Sequence, residues 1–396
     1  MKIPILAILS LLSIAASAQT PIPTGDHEAL TGNTGIARMG SPAAALYNPA
    51  GLATIERTQV SASGTLFQNS TQDVSGSINA HADNFQSIPT QLSTTGVHAG
   101  WHYAFSVFTI RSWDYTTPLN TQLPGGLGVA PTHLKATANS LLLGPSVGDP
   151  YGKDFYIGLS LFLQKDDDYQ NTVARIDSTG ATGTLHMLVQ AEDRRSTYEL
   201  LPVLGAVWQY DSNTTYGARL QLPSVPVSGH RVLTNQSVGY FVDLANTVTD
   251  KSQPESTVKE NSKTLTPMEV SFGMSKILPR DLRVFGDLGY SLDMKWKPSA
   301  TADEQKDSGS LKLSGGVEYG PAVNTWAAGA FYRQNNLRDQ GGEVKSFMGL
   351  TVGYIKTTEH FDSGIGGTYM FGSGSSEGIT NKLSSLGLLV SSTYKF

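Results

Sequence analysis

Apolar residues recur at every second position over many short stretches of this chain, and clusters of turn residues separate the stretches. A period of two sends alternate side chains to opposite faces of an extended strand, so the pattern predicts β-structure. From Leu386 to Phe396 the even positions read Leu386, Leu388, Val390, Ser392, Tyr394 and Phe396, while the odd positions read Gly387, Leu389, Ser391, Thr393 and Lys395. Phe155, Ile157, Leu159, Leu161 and Leu163 form a second apolar face, opposite Tyr156, Gly158, Ser160 and Gln164. In a third stretch, Trp101, Tyr103, Phe105 and Val107 make a bulky stripe. Thr109 and Arg111 interrupt it, and Trp113 and Tyr115 are expected to end it as an outward aromatic belt.

The alternation predicts strands near 58–69, 87–97, 101–115, 132–143, 154–166, 195–210 and 213–222, then near 264–276, 281–295, 309–320, 325–335, 345–357, 362–371 and 384–396. That is about fourteen, an even number as bacterial single-chain barrels require. The connections alternate in length. Short ones fall at 98–100, 144–153, 211–212, 277–280, 321–324 and 358–361, and longer ones at 70–86, 116–131, 167–194 and 223–263. Tight turns at one end facing long loops at the other suit a membrane barrel, whereas a soluble sandwich has no reason to gather its long loops at one end. The expected fold is therefore all-β, a transmembrane antiparallel β-barrel over 58–396 with both termini periplasmic.

Two of the long connections carry further expectations. Region 167–194 has room for strand projecting beyond the membrane, and 223–263 is long enough to fold over the barrel mouth. Both are expected sites of surface recognition. Glycines between Gly364 and Phe371 mark bends or close backbone approaches.

Composition removes other classes. No stretch after the N-terminus is long and apolar enough for a membrane helix, and a mean hydropathy of −0.17 does not oppose a barrel, where only the lipid-facing half must be apolar. Lys2, an apolar run from Ile3 to Ile14 and Ala16-Ser17-Ala18 form an export signal over 1–18, with cleavage expected after Ala18 and a mature start at Gln19. The chain has no cysteine, which rules out disulfides, thiolate metal sites and a cysteine nucleophile. A net charge of −5 argues against nucleic acid, which is bound by basic faces. The terminal Phe396 two residues after Tyr394 resembles the closing-strand signal of bacterial outer-membrane barrels, which implies recognition by the barrel-assembly machinery and a Gram-negative outer membrane rich in lipopolysaccharide.

The segment between leader and first strand, 19–57, is unlike the rest. It contains Gly35, Ala37, Arg38, Ala43, Ala44, Ala45, Asn48, Pro49, Ala50, Gly51 and Leu52. Small residues permit close packing, Pro42 and Pro49 break any continuous helix, and the Asn48 amide can bond backbone groups freed by the break. Such a segment suits a crowded lumen better than a strand. Ala37-Arg38, the alanine-rich stretch and Asn48-Pro49-Ala50-Gly51-Leu52 resemble the N-terminal hatch of the FadL-type outer-membrane transporters of long-chain fatty acids and aromatic hydrocarbons. The acidic residues many members carry before this motif are missing, since 41–47 holds no Asp or Glu.

The resemblance implies a monomeric channel for passive uptake of hydrophobic small molecules, gated by the hatch, with no enzyme activity and no cofactor. Related barrels with the same Asn-Pro-Ala-Gly signature serve as surface or secretion-associated scaffolds, which is the alternative reading. A general porin is disfavoured by the plug. Asp166-Asp167-Asp168 beside Tyr169 reads as a solvated loop tip, because no EF-hand spacing follows it. The histidines form no H-E-x-x-H pair, no G-x-S-x-G elbow accompanies His102 or His186, and the glycines from Gly372 to Gly378 read as a loop.

Overall fold

The computed structural model describes residues 22–75, 78–122, 129–180, 182–297, 305–334, 346–376 and 379–396. The expected leader, its cleavage point and Gln19 lie outside the described residues. In chain order the strands are β1 (Gln59–Ser75), β2 (Ile78–His98), β3 (Trp101–Gln122), β4 (Val129–Pro150), β5 (Phe155–Gly180), β6 (Gly183–Gln209) and β7 (Thr214–Gln221). There follow β8 (Val225–Asp243), β9 (Val248–Asp250), β10 (Gln253–Asn261), β11 (Glu269–Leu278), β12 (Leu282–Ser291), β13 (Met294–Trp296) and β14 (Gln305–Asp307). The last five are β15 (Ser310–Tyr319), β16 (Asn324–Gln334), β17 (Ser346–Thr357), β18 (Phe361–Ser376) and β19 (Ile379–Lys395).

Setting aside β8 to β10 and the β13/β14 hairpin, fourteen strands form one closed antiparallel ring, in which β7 pairs with β11, β12 with β15, and β1 with both β2 and β19. Closure leaves no free edge in the ring, so each strand finds a hydrogen-bonding neighbour on both sides. The expected all-β barrel of about fourteen strands is what the chain forms.

The alternation separates two surfaces. Outward-facing Ile157, Leu159, Leu161, Leu204, Leu350 and Leu386 are exposed, while inward Phe162, Val203 and Thr351 are buried. On β19, Leu386 and Tyr394 are exposed, as is Phe396 just after it, and Leu388 and Val390 half-buried, against buried Leu383, Leu389 and Thr393. Aromatic rings gather where the belt meets the short turns, including Trp208 against Tyr210 and Trp326 against Tyr354. An apolar band rimmed by aromatics is the surface a barrel presents to lipid.

The structure corrects two sequence expectations. Trp113 and Tyr115 do not end the outward belt. A β-bulge at Ile110 separates the pair Thr109 and Leu141 from the pair Arg111 and Ser140, and one inserted residue reverses the faces beyond it. Tyr115 is consequently buried, while Asp114 and Thr116 face outward. Of the long connections, 167–194 holds the projecting strand expected of it, whereas 70–86, 116–131 and 223–263, expected as loops, are also mostly strand in their described residues. β5 and β6 pair from Phe155 and Trp208 out to Gly180 and Gly183, β8 adds to the outer half of β6, and β10 adds to β8. Beyond the membrane both faces are solvated, so the apolar alternation fades while the ladder continues. Asp166-Asp167-Asp168 therefore sits within β5 and not at a loop tip, and Gly372 and Gly374 belong to β18.

Candidate functional site

Residues 22–55 are buried almost throughout, polar and apolar alike: Leu30, Leu52 and Ile55, but also Thr31, Thr34 and Asn48. The segment has little regular structure. A 3₁₀ turn at Ala29–Thr31, a one-turn helix at Ala44–Tyr47 and a 3₁₀ stretch at Pro49–Thr54 are separated by Gly32, Gly40 and Asn48. Its contacts run around the ring. Ala29–Thr31 packs on β15 to β18, and Pro49–Thr54 packs on β3 to β6. A segment touching strands six places apart in a ring of fourteen lies across the lumen.

Glycines in the wall permit that approach. Gly148, Gly158 and Gly205 are direct neighbours across β4, β5 and β6. A Cβ at Gly148 would stand 2.6 Å from the Pro49 carbonyl oxygen, and one at Gly158 would collide with the Pro49 and Ala50 backbone. On the far wall, Gly316 and Gly329 are paired under Thr31, while Gly353 and Gly366 are paired under Leu30. Glycine in a strand interior forfeits packing, and here it gives room to another backbone.

Each motif residue has a defined place. Gly35 donates its N–H to Asp287 Oδ2 at 2.7 Å, as Ile36 does at 3.1 Å. Ala37 and Ala43 are buried, and the Ala43 N–H is capped by Ser41 Oγ at 3.2 Å. Arg38 donates to Glu318 Oε1 at 2.9 Å, with its guanidinium 4.1 Å from the Phe285 ring centroid. Ala44, Ala45 and Leu52 join Phe108, Leu142, Phe162, Leu201 and Val203 in one apolar cluster, and the Ala45 carbonyl accepts from Ser160 Oγ at 2.7 Å. The Asn48 amide donates to Ile36 O at 2.7 Å and Ala206 O at 3.0 Å, while its oxygen accepts from the Ala50 N–H. The Gly51 carbonyl accepts from the Gly40 N–H at 2.9 Å.

The N-terminal half of the segment carries its charges. Asp26 accepts from Ser61 Oγ at 2.7 Å and from the Thr393 hydroxyl, and burial, against those hydrogen bonds, pushes its carboxyl up to about 6. His27 Nδ1 lies 3.2 Å from Glu318 Oε1. Burial lowers the imidazole, but the Glu318 contact outweighs it and leaves the ring more basic than usual.

On the long-loop side of the segment lies a cavity of about 440 Å³. Leu46, Ile110, Leu142, Phe162 and Leu201 give it an apolar floor. Above them the lining is charged. Arg111 donates to Asp168 Oδ1 at 2.7 Å, Arg195 pairs with the same carboxylate, and Ser140 bonds Asp166. Across the cavity Glu269 accepts from Arg219 Nη1 at 2.9 Å and from Lys312, near Arg333. Trp296 and Asp307 of the β13/β14 hairpin roof it, with the indole N–H donating to Asp307 Oδ2 at 3.0 Å. A cavity of a few hundred cubic ångströms with an apolar body and a few fixed polar groups is the usual form of a small-molecule site.

The wall is incomplete beside this cavity. β2 and β3 pair over Gln91–His98 with Trp101–Phe108 and again at Ile78–Ala80 with Leu119–Thr121, but not between. Two side chains span the gap: Gln86 donates to Ser112 O at 3.2 Å and Thr117 to His81 O at 2.6 Å. Ile110 and Arg111, at the bulge where it begins, also line the cavity.

No protein-family model and no curated protein matches this chain. Solved structures do. A FadL homologue from Pseudomonas aeruginosa superposes with a TM-score of 0.64 at 12% identity, covering 96% of this chain and 100% of that one. The fold is that of the FadL-type barrels. The toluene transporter TodX of Pseudomonas putida gives 0.62 at 14% identity, covering 96% and 100%. The toluene transporter TbuX of Ralstonia pickettii gives 0.58 at 15%, covering 95% and 99%. At such identities the FadL-type likeness carries the fold, and the site is read from this chain's own residues.

Sequence reasoning did not single out Asp287, Glu318, Glu269, Arg195 or Arg219. Their signal is a charge on the inward set of a strand, as with Lys312 and Glu318 on β15, where a barrel wall otherwise holds small polar residues.

Proposed function

We propose that this chain is an outer-membrane channel for passive uptake of hydrophobic small molecules, with residues 19–57 acting as its hatch. The observation that carries the reading is the filled lumen with a cavity directly on its long-loop side. Ligand enters from the cell exterior through the long-loop mouth, settles over Leu46 and Phe162, and meets a hatch that excludes polar solutes. The β2/β3 gap beside Ile110 offers a sideways exit into the apolar layer, so the ligand need not cross water. Downhill diffusion drives the movement. The toluene transporters among the structural neighbours support a hydrophobic cargo. The apolar floor beneath a charged upper wall favours an amphiphile, such as a long-chain fatty acid, over a bare aromatic hydrocarbon.

In this reading both termini are periplasmic, Phe396 guides assembly, the outward belt meets lipid and lipopolysaccharide, and the protein acts as a monomer without cofactor. Deleting 32–52 removes no residue of the strand ladder. The expected result is a heat-modifiable barrel that admits polar antibiotics and takes up less labelled oleate. The projecting β5/β6/β8/β10 sheet favours a second reading, a surface scaffold. Unchanged leakage and unchanged uptake after the deletion would replace the first reading with that one.

A further inference from the structure

Both halves of the lumenal segment pack neutrally on wall glycines, but only the N-terminal half adds charge. Residues 44–53 meet β3 to β6 through neutral contacts: the Ser160 hydroxyl on Ala45 O, the Asn48 amide on Ala206 O, Pro49 over glycines, and Leu52 among apolar side chains. Residues 27–38 rest Leu30 and Thr31 on glycines of β15 to β18 and on Thr351, and in addition meet β12 and β15 through charge. Glu318 Oε1 receives Arg38 Nη1 at 2.9 Å and lies 3.2 Å from His27 Nδ1, and Glu318 Oε2 lies 3.7 Å from Arg283 Nη1. Asp287 accepts two backbone N–H groups, from Gly35 and Ile36.

Arg38 ties this half together. Its Nη2 donates to Thr31 Oγ1 at 3.2 Å, its Nε lies 3.6 Å from Glu28 Oε1, and Phe285 of β12 covers its face. Both Arg38 and Glu318 are 7% exposed. A buried ion pair is costly to form and costlier to break by removing one partner, because the other charge is then stranded. Such a pair makes a two-state contact: closed and satisfied, or open with both ends reached by water. Neutral packing on glycines has no comparable threshold.

We propose that the Arg38–Glu318 ion pair is the latch that holds the lumenal segment shut, with His27, Arg283 and Asp287 as positioning groups around it. The proposal rests on the reading of the segment as a hatch. Opening then begins at the β12/β15 wall, and the Asn48 side serves as the hinge.

The test compares Glu318→Gln, Arg38→Gln and the double change Arg38→Gln with Glu318→Gln in the full-length protein, measuring vancomycin entry into cells and conductance in planar bilayers. Heat-modifiable mobility reports barrel formation. Each single change is expected to raise leakage at least tenfold while the barrel still forms, and the double change to leak no more than the leakier single one. Parent-like leakage in both single variants overturns the latch. So does leakage in the double change that equals the two single effects combined. Should Glu318→Gln fail to insert, Arg38→Gln, which lies outside the strand ladder, carries the test alone. Leakage on deleting 32–52 but none from the single changes leaves the hatch standing and removes the latch. No leakage from either removes both.

Discussion

Asn48 donates its side-chain amide to the carbonyl oxygen of Ala206, 158 residues away on β6, at 3.0 Å. The same amide reaches Ile36 O at 2.7 Å, so one side chain ties together two parts of the lumenal segment and the wall. Replacing Asn48 with Ala leaves the buried Ile36 carbonyl and the half-buried Ala206 carbonyl without this partner, at roughly 1–3 kcal/mol for a fully buried unsatisfied group. The expected outcome is a barrel of unchanged heat-modifiable mobility with raised single-channel conductance. Conductance equal to the parent's would mean that Asn48 does not hold the segment in place.

Gly158 leaves no room for a side chain under Pro49 and Ala50. Gly158→Leu is expected to push the segment off the β4 to β6 wall, since forcing extra methylenes into a filled site costs about 1–3 kcal/mol. Limited proteolysis in detergent should then cut within 22–57. Ile157→Leu, one position away on the outward face, serves as the control and should leave cleavage unchanged.

The bulge at Ile110, in the β3/β4 pairing, lies where β3 stops pairing with β2. Deleting Ile110 leaves Thr109 opposite Leu141 and Arg111 opposite Ser140, without the extra residue between them. The strands are then free to complete their ladder. Amide hydrogen exchange across 82–90 is expected to slow and oleate uptake to fall, while the barrel still forms. Slowed exchange with full uptake would rule out the gap as the exit.

Asp26 is buried between Ser61 of β1 and Thr393 of β19, with His27 and Glu28 as its charged neighbours, and its carboxyl rises from 3.8 to about 6. An acid whose folded value is raised binds its proton more tightly in the docked state. Its contribution to docking is therefore complete below the ordinary carboxylate range and is lost as pH rises through about 6. Leakage should be greater at about pH 8 than at about pH 5, and Asp26→Asn should shrink that dependence, leaving the share of His27, which also loses its proton and its pull on Glu318 as pH rises. An unchanged slope in Asp26→Asn would assign the pH response to another group.

The alternation along β5 and β19 and the even strand count were legible in the residues alone. A strand's two faces are set by local chemistry at every second position, and turn residues act within a few residues of where they stand. The unusual character of the N-terminal segment was legible for the same reason: its small residues and its prolines exclude a strand locally. What joins that segment to the wall was not. Gly148, Gly158 and Gly205 become one smooth row, and Glu318 meets Arg38 across 280 positions, only when the strands are set in register. Register arises from pairing between distant segments, and one added residue at Ile110 was enough to turn Trp113 and Tyr115 from the lipid side to the lumen. The sequence determined where the membrane strands run and which segment is left over from them. The tertiary structure decided which wall that segment leans on, where charge holds it, and where the wall stays open, because each of those depends on neighbours the chain brings together only by closing.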